Sequence, residues 1–204
     1  MDLHALTRWA RRRARLLGAS AAALLACGAP PPAETPSPLA PNAAATGVAA
    51  LLPLPDGYVI RFRVWLAGAT SPEQVIFRVE RTGSSHVLLR TGNSVQRLEL
   101  VSDGVRLVTG GYLLREPLEE GAEWTGPAGP VRVTAVNQTL DVSAGHFSGC
   151  LETTEVKGHG AEQRAIVTSY CPGVGITTIR VEGDAQSERF ELDSFGPRVD
   201  IDAM

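Results

Sequence analysis

The sequence predicts an all-β domain: an antiparallel meander rolled into a curved open sheet or half-barrel, with few or no long helices outside the N-terminal segment. Three observations predict it. From Tyr58 onward, apolar residues recur at every second position, the period of a strand with one buried face. Turn-forming residues interrupt that alternation about every 8 to 12 residues, as in sandwiches and barrels. No window carries a helical stripe of useful length.

Residues 1–26 stand apart. Arg8, Arg11, Arg12, Arg13 and Arg15 make a positive region, residues 16–26 an apolar one, and Ala26 precedes Cys27. The apolar run is shorter than the roughly 20 residues a membrane span needs. An ordinary cleaved leader is the nearer rival, and a small residue before a lone cysteine decides between them. The arrangement resembles the signal peptide of bacterial lipoproteins. That resemblance implies removal of residues 1–26 and acylation of Cys27, with two or more chains giving stable anchoring. Gly28, rather than aspartate, follows the cysteine, which by the same resemblance implies sorting to the outer membrane.

Residues 27–50 read as the lipidated cysteine and a disordered tether. Alanine, proline and small polar residues dominate, and Glu34 is the sole charge. Such a stretch cannot bury enough apolar surface to offset its ordering entropy. Prolines 30, 31, 32, 36, 38 and 41 favour extended chain. Its reach is then at most roughly 70 Å at about 3.1 Å per residue.

Residues 51–204 read as a single β domain. The leader holds five of the 19 basic and one of the 22 acidic residues, so the remainder carries a net charge of −7, which argues against a nucleic-acid partner. The first strand, residues 58–66, sets Tyr58, Ile60, Phe62, Val64 and Leu66 on one face and Arg61 and Arg63 on the other. In the second, residues 74–81, Val75, Phe77 and Val79 alternate against Ile76, Arg78 and Glu80. Turns at Gly83-Ser84-Ser85 and Gly92-Asn93 bracket strands over 86–91 and 95–101. Asp103-Gly104 is a hairpin signal leading into 105–109, and Gly110-Gly111 precedes 112–115. Residues 117–121 allow one short turn, and Trp124 would cap the sheet before a Gly/Pro loop over 126–130. Further strands are expected over 131–137, 140–143, 147–156, 164–171, 176–182 and 188–195, with residues 198–201 a short edge strand or a tail.

With Cys27 set aside, Cys150 and Cys171 remain as a pair. Their two strands flank the loop at Lys157-Gly158-His159-Gly160-Ala161. A hairpin centred between Gly160 and Ala161 sets Cys150 opposite Cys171, Leu151 opposite Tyr170 and Glu155 opposite Ile166. Directly opposed cysteines come within disulfide reach. Phe147 and Leu151 would then face the core and the disulfide the other side. The rival is zinc on His146, Cys150, His159 and Cys171, whose spacings match no specific zinc pattern.

Three pieces of the second half are similar to a set of uncharacterised bacterial envelope lipoproteins and periplasmic proteins. They are Leu118, Gly121 and Trp124; Ser143-Ala144-Gly145-His146-Phe147-Ser148-Gly149-Cys150; and Tyr170-Cys171-Pro172-Gly173-Val174-Gly175-Ile176. Ser143 stands where that pattern has proline. The similarity covers residues 113–182 and implies a curved antiparallel sheet, a half-barrel like that of lipoprotein carriers. It implies no activity. The glycines of the third piece suit positive φ or close backbone approach, and they open no helix that could seat a phosphate.

No catalytic constellation is legible. Ser84, Ser85 and His86 are adjacent, so along a strand their side chains would diverge. Glu119, Glu120 and Glu123 fit a solvated turn, and His146 and His159 have no evident partner. No enzyme activity, cofactor or metal is expected. The expected function is a non-enzymatic structural or interaction module, held at the bacterial envelope by a lipid on Cys27, its sheet presenting a face to another envelope component, protein or lipid, that the sequence does not name. The alternative is a carrier that cradles a lipid or acyl chain on the concave face. A carrier needs an open cavity beside Tyr58, Phe62 and Val64, whereas an interaction module needs a filled core.

Overall fold

The computed structural model describes residues 47–160, 163–183 and 187–198. The leader, Cys27 and residues 28–46 of the tether lie outside them. One short helix, α1 (Val48–Leu51), precedes twelve strands. The first six are β1 (Tyr58–Trp65), β2 (Glu73–Arg81), β3 (His86–Thr91), β4 (Ser94–Val101), β5 (Gly104–Leu107) and β6 (Tyr112–Arg115). The second six are β7 (Glu123–Thr125), β8 (Pro130–Val142), β9 (Gly145–Lys157), β10 (Arg164–Cys171), β11 (Gly175–Glu182) and β12 (Glu188–Pro197).

All twelve form one antiparallel sheet in the order β6-β5-β4-β3-β2-β1-β12-β11-β10-β9-β8-β7. Each half is a six-stranded meander, and the halves join where the first strand pairs with the last, Ile60 opposite Phe195 and Val64 opposite Phe190. The chain passes from β6 to β7 through only a short link, which draws the two outer edges together. The sheet therefore curls further than a half-barrel and nearly closes.

Closure follows from alternation. Phe62, Val64, Val75, Phe77, Val79, Val87, Leu89 and Leu98 are all buried, while their neighbours in sequence face outward. Phe62 meets Phe77 edge-on at 5.9 Å. From the second half come Val133, Leu151, Ile179, Phe190 and Leu192, none more than 3% exposed. Two polar side chains then staple the open seam. The Trp124 indole N–H on β7 donates to the Tyr112 carbonyl on β6 at 3.2 Å. The buried Tyr170 hydroxyl on β10 donates to the Leu113 carbonyl at 3.0 Å.

Four details differ from the sequence reading. Trp124 lies on a three-residue strand, β7, rather than only capping a turn. One strand, β8 (Pro130–Val142), stands where two were expected over 131–137 and 140–143, because Asn137 (φ 55°) takes up a bulge and the ladder resumes beyond it. The β4–β5 turn is Ser102-Asp103, with Gly104 already paired to Val101. Gly104 is required for another reason: a Cβ there would run into the Leu114 carbonyl of β6. Finally, residues 47–50, read as the end of the tether, belong to the packed body, since Val48 and Leu51 are 7% exposed.

Candidate functional site

The barrel interior has an apolar end and a polar one. At the apolar end, residues 47–55 fold back as a plug. Leu51, Leu52 and Leu54 are buried against the barrel. The Val48 amide donates to Glu116 Oε1 (3.0 Å), and Gly173 N–H donates to the Ala50 carbonyl (2.8 Å). Leu54 holds φ at 42°, a left-handed conformation that costs a leucine energy and persists only where the surroundings enforce it. Behind the plug lies a cavity lined by Leu52, Leu54, Tyr58, Phe62, Val174 and Phe195 among others. Its room for the centre of a water molecule is about 40 Å³, enough for a few waters. Of the face a carrier would keep open, Phe62 and Val64 are 4% and 1% exposed, while Tyr58 is half-buried and lines the cavity.

At the other end, Thr153, Glu155, Thr168 and Tyr170 line a smaller space of about 30 Å³. Glu155 faces Ile166 across the hairpin and points inward. Its Oε1 accepts the Ala128 and Gly129 amides (2.5 and 3.1 Å), tying the loop between β7 and β8 to β9. Gly129 makes this approach possible, because a Cβ there would run into the Val156 carbonyl. Burial pushes the Tyr170 hydroxyl far above the ordinary tyrosine range; the nearby Glu155 charge adds to the rise and a hydrogen bond with Thr153 opposes it.

Cys150 and Cys171 form a disulfide, S–S 2.00 Å and Cα–Cα 4.2 Å, with both residues fully buried. The register is the one expected from the sequence: Leu151 faces Tyr170 and Glu155 faces Ile166. The zinc alternative is overturned, since the two sulfurs are bonded to each other. His146 instead pairs with Asp141 (2.6 Å) in the exposed tip of the β8–β9 hairpin. The disulfide lies on the side away from Leu151, beside Thr177, whose hydroxyl is 3.4 Å from Cys171 Sγ. Beyond Gly149 (φ 71°) the hairpin tip reaches β12. Ala144 N–H donates to the Leu192 carbonyl (3.1 Å), Ser143 N–H and Oγ donate to Glu191 Oε1 (3.1 and 2.8 Å), and Phe147 packs edge-on against Phe195 (6.2 Å). Glu191 pairs with Thr178, so the tip covers the outer side of β11 and β12.

Ser85 Oγ sits 3.1 Å from His86 Nδ1, contrary to the divergence expected of strand neighbours, because Ser85 lies in the turn before β3. His86 is exposed and Ser85 half-buried, and among the described residues no carboxylate pairs with His86. Glu123 meets Arg132 at 3.7 Å on the surface. Cys27 lies outside the described residues. The sequence reading missed the plug, the inward Glu155 and the seam staples. The run Leu51-Leu52-Pro53-Leu54 is the signal that could have found the plug, since a solvated tether would not carry it.

No family model and no curated protein matches the chain. Two solved structures overlap part of the architecture. One, from Bacteroides fragilis and described as an exported protein with a YmcC-like fold, aligns over 72% of this chain and 98% of its own, at a TM-score of 0.47 and 10% identity. The other, from Parabacteroides distasonis and described as a lipoprotein, aligns over 72% and 98% at a TM-score of 0.44 and 11% identity. At those scores neither likeness carries an argument about what this chain does.

Proposed function

We propose that the chain is a lipid-anchored module of the bacterial envelope, a non-enzymatic binding or structural unit that works through its outer surface. One observation carries this reading. The Cys150–Cys171 disulfide accounts for two of three cysteines, suits an oxidising compartment outside the cytoplasm, and leaves Cys27 alone at the end of an arginine-rich leader. The packed plug supports it further, because its first residue, Gly47, lies about 20 residues after that cysteine, a spacing suited to a tether. The outer membrane is the proposed destination, on the strength of Gly28. The test is expression in a bacterial host with an alkyne-labelled fatty acid, followed by intact mass. A chain beginning at Cys27 with acyl mass is expected, and Cys27→Ala should lose both label and processing. Release of an unacylated chain would sink the reading.

The apolar cavity behind the plug favours a second reading, a carrier for an acyl chain. Native mass spectrometry of the purified protein separates the two: copurifying lipid, beyond any covalent acyl mass, supports the carrier.

A further inference from the structure

The outer face of β1–β4 carries charge of the opposite sign to the chain as a whole. Between Tyr58 and Val101 there are six arginines and three glutamates, in a chain of net charge −3. Strand register gathers four of those arginines into one patch. Val59, Arg78, Arg90 and Val95 lie in a row across β1–β4. Arg61 stands beside Ile76 on one side of that row, and Arg97 faces Leu88 on the other.

Arg78 directly opposite Arg90 is a like-charge cross-strand pair, an arrangement that weakens a sheet. Arg90 finds Glu80 at 2.6 Å, but among the described residues Arg61, Arg78 and Arg97 have no acidic or hydrogen-bonding partner. Arg61 Nε is buried without an acceptor. Two exposed large apolar side chains fall on the same face, Ile76 at 39% and Val95 at 44%, and Val108, 54% exposed just after β5, donates its N–H to the Arg97 carbonyl. Aliphatic groups interleaved with long cationic side chains match the chemistry of a bilayer interface, where arginine stems lie along the apolar layer and guanidinium groups reach phosphate.

Position narrows the occupant. Val59 begins the patch two residues after Gly57, whose N–H donates to Val79, and the plug closes this same end of the barrel. The plug thus runs into β1 at the edge of the basic face, while the first described residues, Gly47 and Val48, lie at Glu116 just after β6. We propose that this face docks on anionic lipid headgroups of the membrane to which the tether leads. The choice of a bilayer rests on the lipid-anchored reading above, while the charge argument stands on the fold.

The test separates docking from acylation by using the chain from residue 27 with Cys27→Ser, which has no anchor, in flotation with lipid vesicles. Binding to phosphatidylglycerol/phosphatidylcholine vesicles at low salt is expected, with none to phosphatidylcholine alone and a steep loss with added salt. Arg78→Gln should weaken binding about fivefold and Arg61→Gln/Arg78→Gln/Arg97→Gln on the order of a hundredfold, the increments each cation contributes at an anionic surface. Arg132→Gln, on β8, should change nothing. Arg78→Gln should also leave the melting temperature unchanged or higher, since it removes a like-charge contact, so its binding loss does not report unfolding. No binding at low salt, equal binding to neutral vesicles, or retained binding by the triple variant each overturns the proposal. So does arginine-dependent capture by heparin without capture by vesicles, which would assign the face to a soluble polyanion.

Discussion

Tyr170→Phe isolates the polar stapling of the barrel seam. The ring is 3% exposed and would stay in place; only the hydroxyl that reaches the Leu113 carbonyl is removed. That carbonyl has particular need of it. The β5–β6 register pairs Val105 with Leu114 and Arg106 with Tyr112, so Leu113 is skipped by the ladder. Leaving a buried acceptor without a donor costs about 1–3 kcal/mol. At about 2–4 °C per kcal/mol for a domain of this size, a loss of about 2 kcal/mol lowers the melting temperature by about 4–8 °C. Urea denaturation of wild type, Tyr170→Phe, Trp124→Phe and the double variant measures both the loss and the coupling. Both staples close one gap, so a coupling of at least about 0.5 kcal/mol is expected. A second readout follows from ionisation. The folded Tyr170 hydroxyl titrates above its unfolded value near 10, so its stabilising contribution is complete below that pH and lost as the pH rises past it toward the folded value. The tyrosine should therefore ionise together with unfolding, and Tyr170→Phe should flatten the alkaline loss of stability. A single variant within about 0.3 kcal/mol of wild type, or a strictly additive double variant, would show that apolar packing closes the seam unaided.

Two further predictions follow from the same structure. Replacing both cysteines as Cys150→Ala/Cys171→Ala opens a loop of sequence separation 21. In the chain-entropy model this costs about 3 kcal/mol, read as a fall in melting temperature of about 6–12 °C; reductant should reproduce the loss in wild type and leave the variant unchanged. At the β4–β5 turn, the Arg115 hydrogen bond (2.9 Å) holds the Asp103 carboxyl below its ordinary range, assisted by the Arg115 charge and the Tyr112 hydroxyl and opposed by burial. Its contribution is present above the unfolded value near 3.9 and lost as pH falls through the folded value, so melting temperatures of Asp103→Asn should depend less on pH between about 5 and 2 than those of wild type.

Much of this was legible because strands report themselves locally. His86–Thr91 and Tyr112–Arg115 fall where alternation puts them, and the cysteine register follows once a hairpin centre is assumed. What local pattern could not carry was closure. Whether six strands meet six others depends on the pairing of Tyr58–Trp65 with Glu188–Pro197, at the two ends of the domain, and nothing in either segment names its partner. Trp124 read as a cap because three residues are too few to alternate. Gly104 read as a turn former because a glycine required by a neighbouring carbonyl looks the same in sequence as one required by φ. Glu155 read as the partner of Ile166, but its use inside the barrel depends on the loop amides of Ala128 and Gly129, far away in the chain.

The plug decides how the interior can be used. Opening the apolar end would return Val48, Leu51, Leu52 and Leu54 to water, each now no more than 7% exposed. At about 1.5–3 kcal/mol per side chain the cost is about 6–12 kcal/mol. That is comparable to the whole folding stability of a domain, about 5–15 kcal/mol. The left-handed backbone at Leu54 returns only a small part of it on release, about 1–3 kcal/mol. An acyl ligand entering at this end would have to offset the remainder with its own buried surface, in a space that now admits only a few waters. The cost of opening the plug therefore favours recognition from outside, and the outer face that departs most from a solvated sheet is the arginine-rich one on β1–β4.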